Sequence, residues 1–219
     1  MIALTAAYLA ITYAAAPAVI PTHFDLAGTP NAFARKTIGS YFGLVWAQLF
    51  LEILITALAV LAVRAKAVPG RAERRFRRRT LRFLFFIKAL TLAFLGIVAV
   101  LVAQTSLTAH PRLGPSLALS AVFVLLTLGA AFALGITTGQ GGARLGPAEE
   151  TATDRLDDRY WKLGAIYVNR GDPSLFVERR FGIGWTFNLG NPRAIGVLVG
   201  IVAITALFVV VSIVVTAPR

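Results

Sequence analysis

Gln48, Glu52 and Lys88 stand inside stretches that are otherwise almost wholly apolar, and their chemistry is the first thing in this sequence that needs a cause. Gln48 and Glu52 are four residues apart, so on a helix they share one face. An ionised side chain at the middle of a bilayer costs about 2.5–3.5 kcal/mol on insertion scales and is rare without a reason. Three reasons fit the residue types: a polar contact between helices, a proton or ion relay, or a contact with a substrate or peptide. Lys88 falls some six residues nearer the cytoplasmic end of its span than Glu52 does, about 9 Å of helical rise. A Lys88 side chain that reaches inward meets Glu52, and one that snorkels outward does not.

Other candidate chemistry is thinner. His23 and Asp25 could begin an outer metal site, and His110 could add a third ligand if two outer loops met, but two mixed ligands in a short loop do not hold zinc. The expectation is no metal and no cofactor. The chain has no cysteine, which removes disulfides, thiolate metal sites and a cysteine nucleophile. It also lacks H-E-x-x-H, G-x-S-x-G and the phosphate-binding G-x-x-x-x-G-K-[ST], so no catalytic residues are assigned and an enzyme is not expected. Asp157 and Asp158, beside Arg155 and Arg159, read as exposed ion pairs.

The elements that must position these residues are membrane spans. Hydrophobic residues make up 57 % of the 219-residue chain and the mean hydropathy is +0.74, more than a soluble surface tolerates. Five apolar runs predict an all-α integral membrane protein with five transmembrane helices: Ile2 to Ile20, Tyr41 to Val63, Phe83 to Gln104, Ser116 to Thr138 and Ala194 to Thr216. A cleaved signal peptide ending near Ala14-Ala15-Ala16 is the rival reading of the first run, and the lack of a basic segment before it favours a retained helix. Small residues at helical spacing, Gly129 with Ala133 and Gly196 with Gly200, suit close helix packing.

Orientation rests on Arg64 to Arg82, which holds nine Lys or Arg residues against the single acid Glu73. A short basic connection of this kind is held on the cytoplasmic side, so the N-terminus is expected inside and the C-terminus outside a bacterial inner membrane. The net charge of +12 is concentrated there, where anionic lipid headgroups explain it and nucleic acid is not needed. Pro21 to Ser40 becomes a polar outer loop. The chain is thus expected to divide into 1–65, a helical hairpin with its outer loop; 66–138, the arginine-rich loop and spans three and four; 139–193, a cytoplasmic linker and insert; and 194–219, the last span.

The insert carries strand signals. Gly164 to Val168 is β-prone, Asn169 to Pro173 is turn chemistry, and from Ile183 to Leu189 apolar residues alternate with Gly184, Thr186 and Asn188. The expected unit is a small β-hairpin with one greasy side laid on the helices or on the headgroups. Tyr160, Trp161, Tyr167 and Trp185 are read as packing and anchoring aromatics, with a ligand surface as the alternative.

Two stretches resemble known families. Pro21 and His23, followed by Gly28 and Lys36, resemble the uncharacterised N-terminal membrane domain of SdpI-type bacterial immunity proteins, over roughly residues 1–65. Asp158, Trp161, Gly164, Tyr167, Asn169, Asp172 and Pro173, followed by Gly182, Gly184, Trp185, Thr186 and Asn188, are similar to a second bacterial domain of unknown function, over roughly residues 154–192. The resemblance implies a small inner-membrane protein in which protection against, or sensing of, an envelope-active peptide toxin is the expected role. A small transporter or proton-coupled carrier using Glu52 and Lys88 is the alternative. The bilayer itself, a peptide toxin and a membrane-protein partner are the expected associations.

Overall fold

Pro17 decides where the first helix stops. It lacks a backbone N–H and disfavours helical geometry at the residue before it, and α1 runs only from Ile2 to Tyr13. The β-branched residues beyond it, Val19 and Ile20, enter a strand instead. Twelve residues rise about 18 Å, short of a bilayer core, so the expected nineteen-residue first helix is corrected to a short helix followed by extended chain. The computed structural model describes residues 1–25, 27–64, 71–108, 116–138, 144–145, 157–179 and 185–216.

The expected polar loop is a β-hairpin. β1 (Val19–Phe24) pairs antiparallel with β2 (Pro30–Arg35), Val19 opposite Arg35 and Phe24 opposite Pro30, with irregular register around His23. Asp25 closes the turn: its Oδ1 accepts from the amides of Ala27 and Thr29, each at 2.9 Å, and Gly28 takes the left-handed φ of 76°. The short α2 (Ile38–Tyr41) starts on a capping box between Thr37 and Ser40.

Four helices among the described residues are long and apolar enough to cross a membrane: stretches Gly43–Leu61, Arg74–Ser106, Ala118–Thr138 and Pro192–Val211. They belong to α3 (Gly43–Arg64), α4 (Arg71–Ser106), α5 (Ser116–Thr138) and α6 (Pro192–Thr216). Leu125, Phe132, Ile204 and Leu207 project outward from these helices, exposed, as lipid-facing side chains do. The arginine block, expected as a loop, is helical from Arg71 onward. Arginine is a good helix former, and no Gly or Pro interrupts the sequence between Arg71 and Phe94. α4 therefore rises about 54 Å, well beyond a bilayer core.

The chain divides into two compact units, and α3 to α6 each contribute to both. The first unit comprises Met1–Ile55, Phe86–Thr127 and Ala206–Arg219. Its core is Leu9, Ala16, Ile20, Tyr41, Val45, Ala99 and Ala103, where α1, β1, the end of α2 and the start of α3 meet α4. Gly96 permits that approach: a Cβ there would sit 2.9 Å from Thr5 Oγ1 and 3.1 Å from Gln48 Nε2.

The second unit comprises Thr56–Phe85 and Leu128–Thr205 and holds the insert. A 3₁₀ turn (Asp158–Tyr160) leads into β3 (Trp161–Lys162), which pairs with β4 (Ile166–Tyr167); β5 (Phe176–Glu178) pairs with β6 (Trp185–Phe187). The insert is β-rich as expected, but it has two hairpins rather than one, joined by a parallel bridge from Tyr167 to Asn188. Trp185 meets Phe76 of α4 edge-on at 5.3 Å between ring centroids, so part of its greasy side does rest on a helix. Gly190 is packed against the backbone of Asn169 and Arg170, where a Cβ would lie 2.4 Å from the Asn169 carbonyl carbon. Gly190→Ala is expected to cost about 1–3 kcal/mol through overpacking of rigid main chain. Thermal unfolding followed by tryptophan fluorescence checks it, with Gly171→Ala, which meets nothing closer than 3.4 Å, as the near-neutral control.

Candidate functional site

Lys88 reaches inward. Its Nζ lies 2.8 Å from Glu52 Oε1, with the Lys88 side chain 17 % and the Glu52 side chain 36 % exposed, so α3 and α4 are joined by an ion pair in the membrane-crossing region. Of the geometries open to the sequence, this one leaves neither charge bare in hydrocarbon. Gln48, one turn along α3, is fully buried and donates from Nε2 to the Leu92 carbonyl at 2.8 Å, while its Oε1 has no hydrogen-bond partner among the described residues. The three polar residues thus line one seam between α3 and α4.

A second feature opens beside the hairpin. A cavity of about 1080 Å³ is bounded by Ile20 to Asp25 of the β1 region, Gly39 to Ala47 of α2 and α3, Val98 to Ser106 of α4, and Phe208 and Val211 of α6. Trp46, Ala47, Val98 and Val102 give it a greasy wall, and Thr22, His23, Asp25 and Ser40 give it a polar rim. Concave, mainly apolar space with a few convergent polar groups is how ligand sites are built.

The residues marked in the outer stretch hold that rim in place. Lys36 donates from Nζ to the carbonyls of Tyr13 at 3.0 Å and Ala16 at 2.5 Å, and stands 5.0 Å from the Tyr13 ring centroid. It caps the end of α1 from the far side of the hairpin. Tyr41 adds a hydroxyl bond to Thr12 at 3.0 Å and an edge-on contact with Tyr13. Pro21 is buried within β1, tolerated because each strand of a two-stranded sheet is an edge. His23 Nδ1 hydrogen-bonds the Asn31 side-chain oxygen, a cross-strand tie. No group of His, Asp and Glu residues able to hold a metal occurs among the described residues; His110 falls outside them.

The residues marked in the insert build a hydrogen-bonded knot. Asn188 is fully buried; its Oδ1 accepts from the amides of Asn169 and Gly190, both at 3.0 Å, and its Nδ2 donates to the carbonyls of Asn169 at 2.8 Å and Asp172 at 2.9 Å. Asn169 Nδ2 donates to the Tyr167 hydroxyl, which donates to Asp172 Oδ2 at 3.3 Å. Trp161, Tyr167 and Val177 form the small core beneath. Gly164 has φ 70° and Leu163 φ 51°, turning β3 into β4. Asp158 lies in the 3₁₀ turn, Thr186 pairs opposite Val177, and Asp157 makes a 3.0 Å ion pair with Arg159. Gly182 and Gly184 lie outside the described residues. This set braces the insert.

Three contributors escape the sequence reading. Asn191 caps α6, accepting from the Arg193 amide at 3.0 Å, with Pro192 at the first helical position and its own Nδ2 on the Pro173 carbonyl. The Asn-Pro pair before an apolar run was the available signal. Arg79 donates to the Thr137 carbonyl at 2.8 Å and Arg144 to the Ile136 carbonyl, closing the C-terminal end of α5. Only tertiary structure reveals those two.

Comparison with family profiles finds two domains. Residues 1–47 match the Domain of unknown function (DUF1648), and residues 170–195 match the Family of unknown function (DUF5808). The first covers α1, the hairpin, α2 and the opening of α3; the second covers the part of the knot from Asp172 to Asn191 and the start of α6. Comparison with curated proteins and with solved structures returns no match.

If the Glu52–Lys88 pair is structural, Glu52→Gln and Lys88→Met each leave a charge without its partner and each lower stability by up to about 3 kcal/mol. The double substitution is then expected to recover most of that loss, giving a coupling energy of about 1–2 kcal/mol in a double-mutant cycle of thermal unfolding.

Proposed function

We propose that this chain is a non-enzymatic, multi-pass protein of a bacterial inner membrane that receives an amphipathic, envelope-active peptide and serves immunity to it or its sensing. The observation that carries this is the cavity beside the β1–β2 hairpin, which combines a greasy wall with a polar rim. Its volume is at the upper end of small-molecule pockets, room for one face of a short peptide segment rather than for a metabolite. The resemblance of the hairpin region to the SdpI-type N-terminal domain supports the same reading, and the bracing of the hairpin by Lys36 and Tyr41 presents a preorganised surface.

In this reading α1 and the extended segment to Ile20 together complete a fifth crossing, with the N-terminus inside. The hairpin and cavity face outward, where such a peptide arrives. The basic end of α4 and the insert lie in the cytoplasm, the side on which a membrane-protein partner docks. The competing reading, a small proton-coupled carrier, draws on the polar seam of Gln48, Glu52 and Lys88. The closed 2.8 Å ion pair favours a structural role for that seam.

Filling the cavity tests the proposal. Ala47→Trp and Val102→Trp put a large side chain into the space a peptide would take, so each should weaken protection of a sensitive strain against its envelope-active peptide by roughly tenfold or more, about 1.4 kcal/mol of lost binding. Membrane abundance should not change. Unaltered survival with both variants across several peptides, together with loss of a proton-coupled flux in Glu52→Gln, would favour the carrier.

A further inference from the structure

The arginines of α4 do not all do the same thing. Phe76 packs into the insert against Trp185, and Arg79 is committed to the end of α5. Arg75, Arg78 and Arg82 follow one another at spacings of three and four, so they fall within about 60° of one helix face. All three are exposed, and among the described residues none has an ion-pair or hydrogen-bond partner. A surface that only needed solubility would carry neighbouring acids. In this helix the one acid of the block is Glu73, against seven arginines from Arg71 to Arg82.

The stripe also has a fixed height. α4 is continuous from Arg71 to Ser106, and its apolar run begins at Phe83. Arg82 therefore stands at the hydrocarbon boundary, with Arg78 about 6 Å and Arg75 about 10 Å further out along the axis. That depth is the headgroup layer, in which phosphodiesters are the acceptors. The guanidinium group offers a planar pair of donors that fits two phosphate oxygens at once.

We infer that Arg75, Arg78 and Arg82 form a binding site for anionic phospholipid headgroups, clamping phosphodiesters along one face of α4 and fixing that helix at its depth in the bilayer. The site is independent of the peptide reading: it needs only that α4 crosses a membrane. Near an anionic surface each basic residue is worth roughly a fivefold change in association, so the three together provide on the order of a hundredfold preference over a zwitterionic lipid.

The test uses the purified full chain in detergent micelles. Phosphatidylglycerol, phosphatidylcholine or inorganic phosphate is titrated in, and the thermal unfolding midpoint is recorded. Phosphatidylglycerol should raise the midpoint at concentrations on the order of a hundredfold below any effect of phosphatidylcholine, while inorganic phosphate at matched phosphorus should leave it unchanged. The variant with Arg75→Gln, Arg78→Gln and Arg82→Gln should lose the phosphatidylglycerol response and keep its midpoint in phosphatidylcholine. If the triple variant does not fold, each single substitution should weaken the response by about fivefold. An equal response of wild type to the two lipids, a response to inorganic phosphate as large as that to lipid, or an undiminished response in the variants would overturn the inference.

Discussion

Hydrocarbon offers no partner for a backbone carbonyl, and α1 ends after only twelve residues. The carbonyls of Tyr13 and Ala16 at that end accept from Lys36, which follows directly on the second strand of the hairpin. This contact explains why the hairpin lies against the helices instead of trailing as a loop: the cation is favourable at a helix C-terminus, and it stands over the ring of Tyr13. With the hairpin fixed, Ile20 enters the core and the wall of the cavity is set. The same constraint recurs where Arg79 and Arg144 close α5 and where Asn191 opens α6. Helix ends, more than helix faces, dictate the placement of the irregular segments.

Within the second unit the constraint is met by amides rather than charges. Asn188 satisfies both sides of its carboxamide on main chain, from the Asn169–Asp172 segment and from Gly190, which a small insert needs in place of a large core. Gly190 is glycine because the Asn169 backbone occupies the space of a side chain. Asn169, Asp172 and Asn188, which belong to the recognisable pattern of this stretch, thus serve folding. The seam of Gln48, Glu52 and Lys88 and the cavity beside the hairpin remain as the places where chemistry could be done, and both lie in the first unit.

Much of this was legible in the sequence, for definite reasons. Glu52 and Lys88 stand out because charge in an apolar run has few neutral explanations; helical rise brought them within reach but left open whether Lys88 turns inward to Glu52 or snorkels outward. The boundaries of α5 coincide with the expected span because apolar content and length suffice there. The hairpin was missed because Pro21 and a polar turn read as loop, while its strand character depends on Lys36 and on packing against α3 and α4. The arginine helix was missed because charge density suggested a loop, although arginine propagates a helix well once Pro69 and Gly70 are passed. Gly190 and the hydrogen bond from Arg79 to the C-terminal end of α5 depend on residues distant in sequence, which no local pattern encodes.

The most direct test is the side on which the hairpin lies, because a cavity that receives an envelope-active peptide has to be reachable from outside the cell. The chain has no cysteine of its own, so single exposed positions can be marked cleanly with Ala27→Cys at the hairpin turn or Gly171→Cys in the insert, and probed in intact cells with a membrane-impermeant thiol reagent. Labelling at position 27 in intact cells, with position 171 labelled only after the membrane is opened, is the result expected here. Labelling at 171 with protection at 27 would contradict it, and would turn the insert rather than the cavity toward the outside.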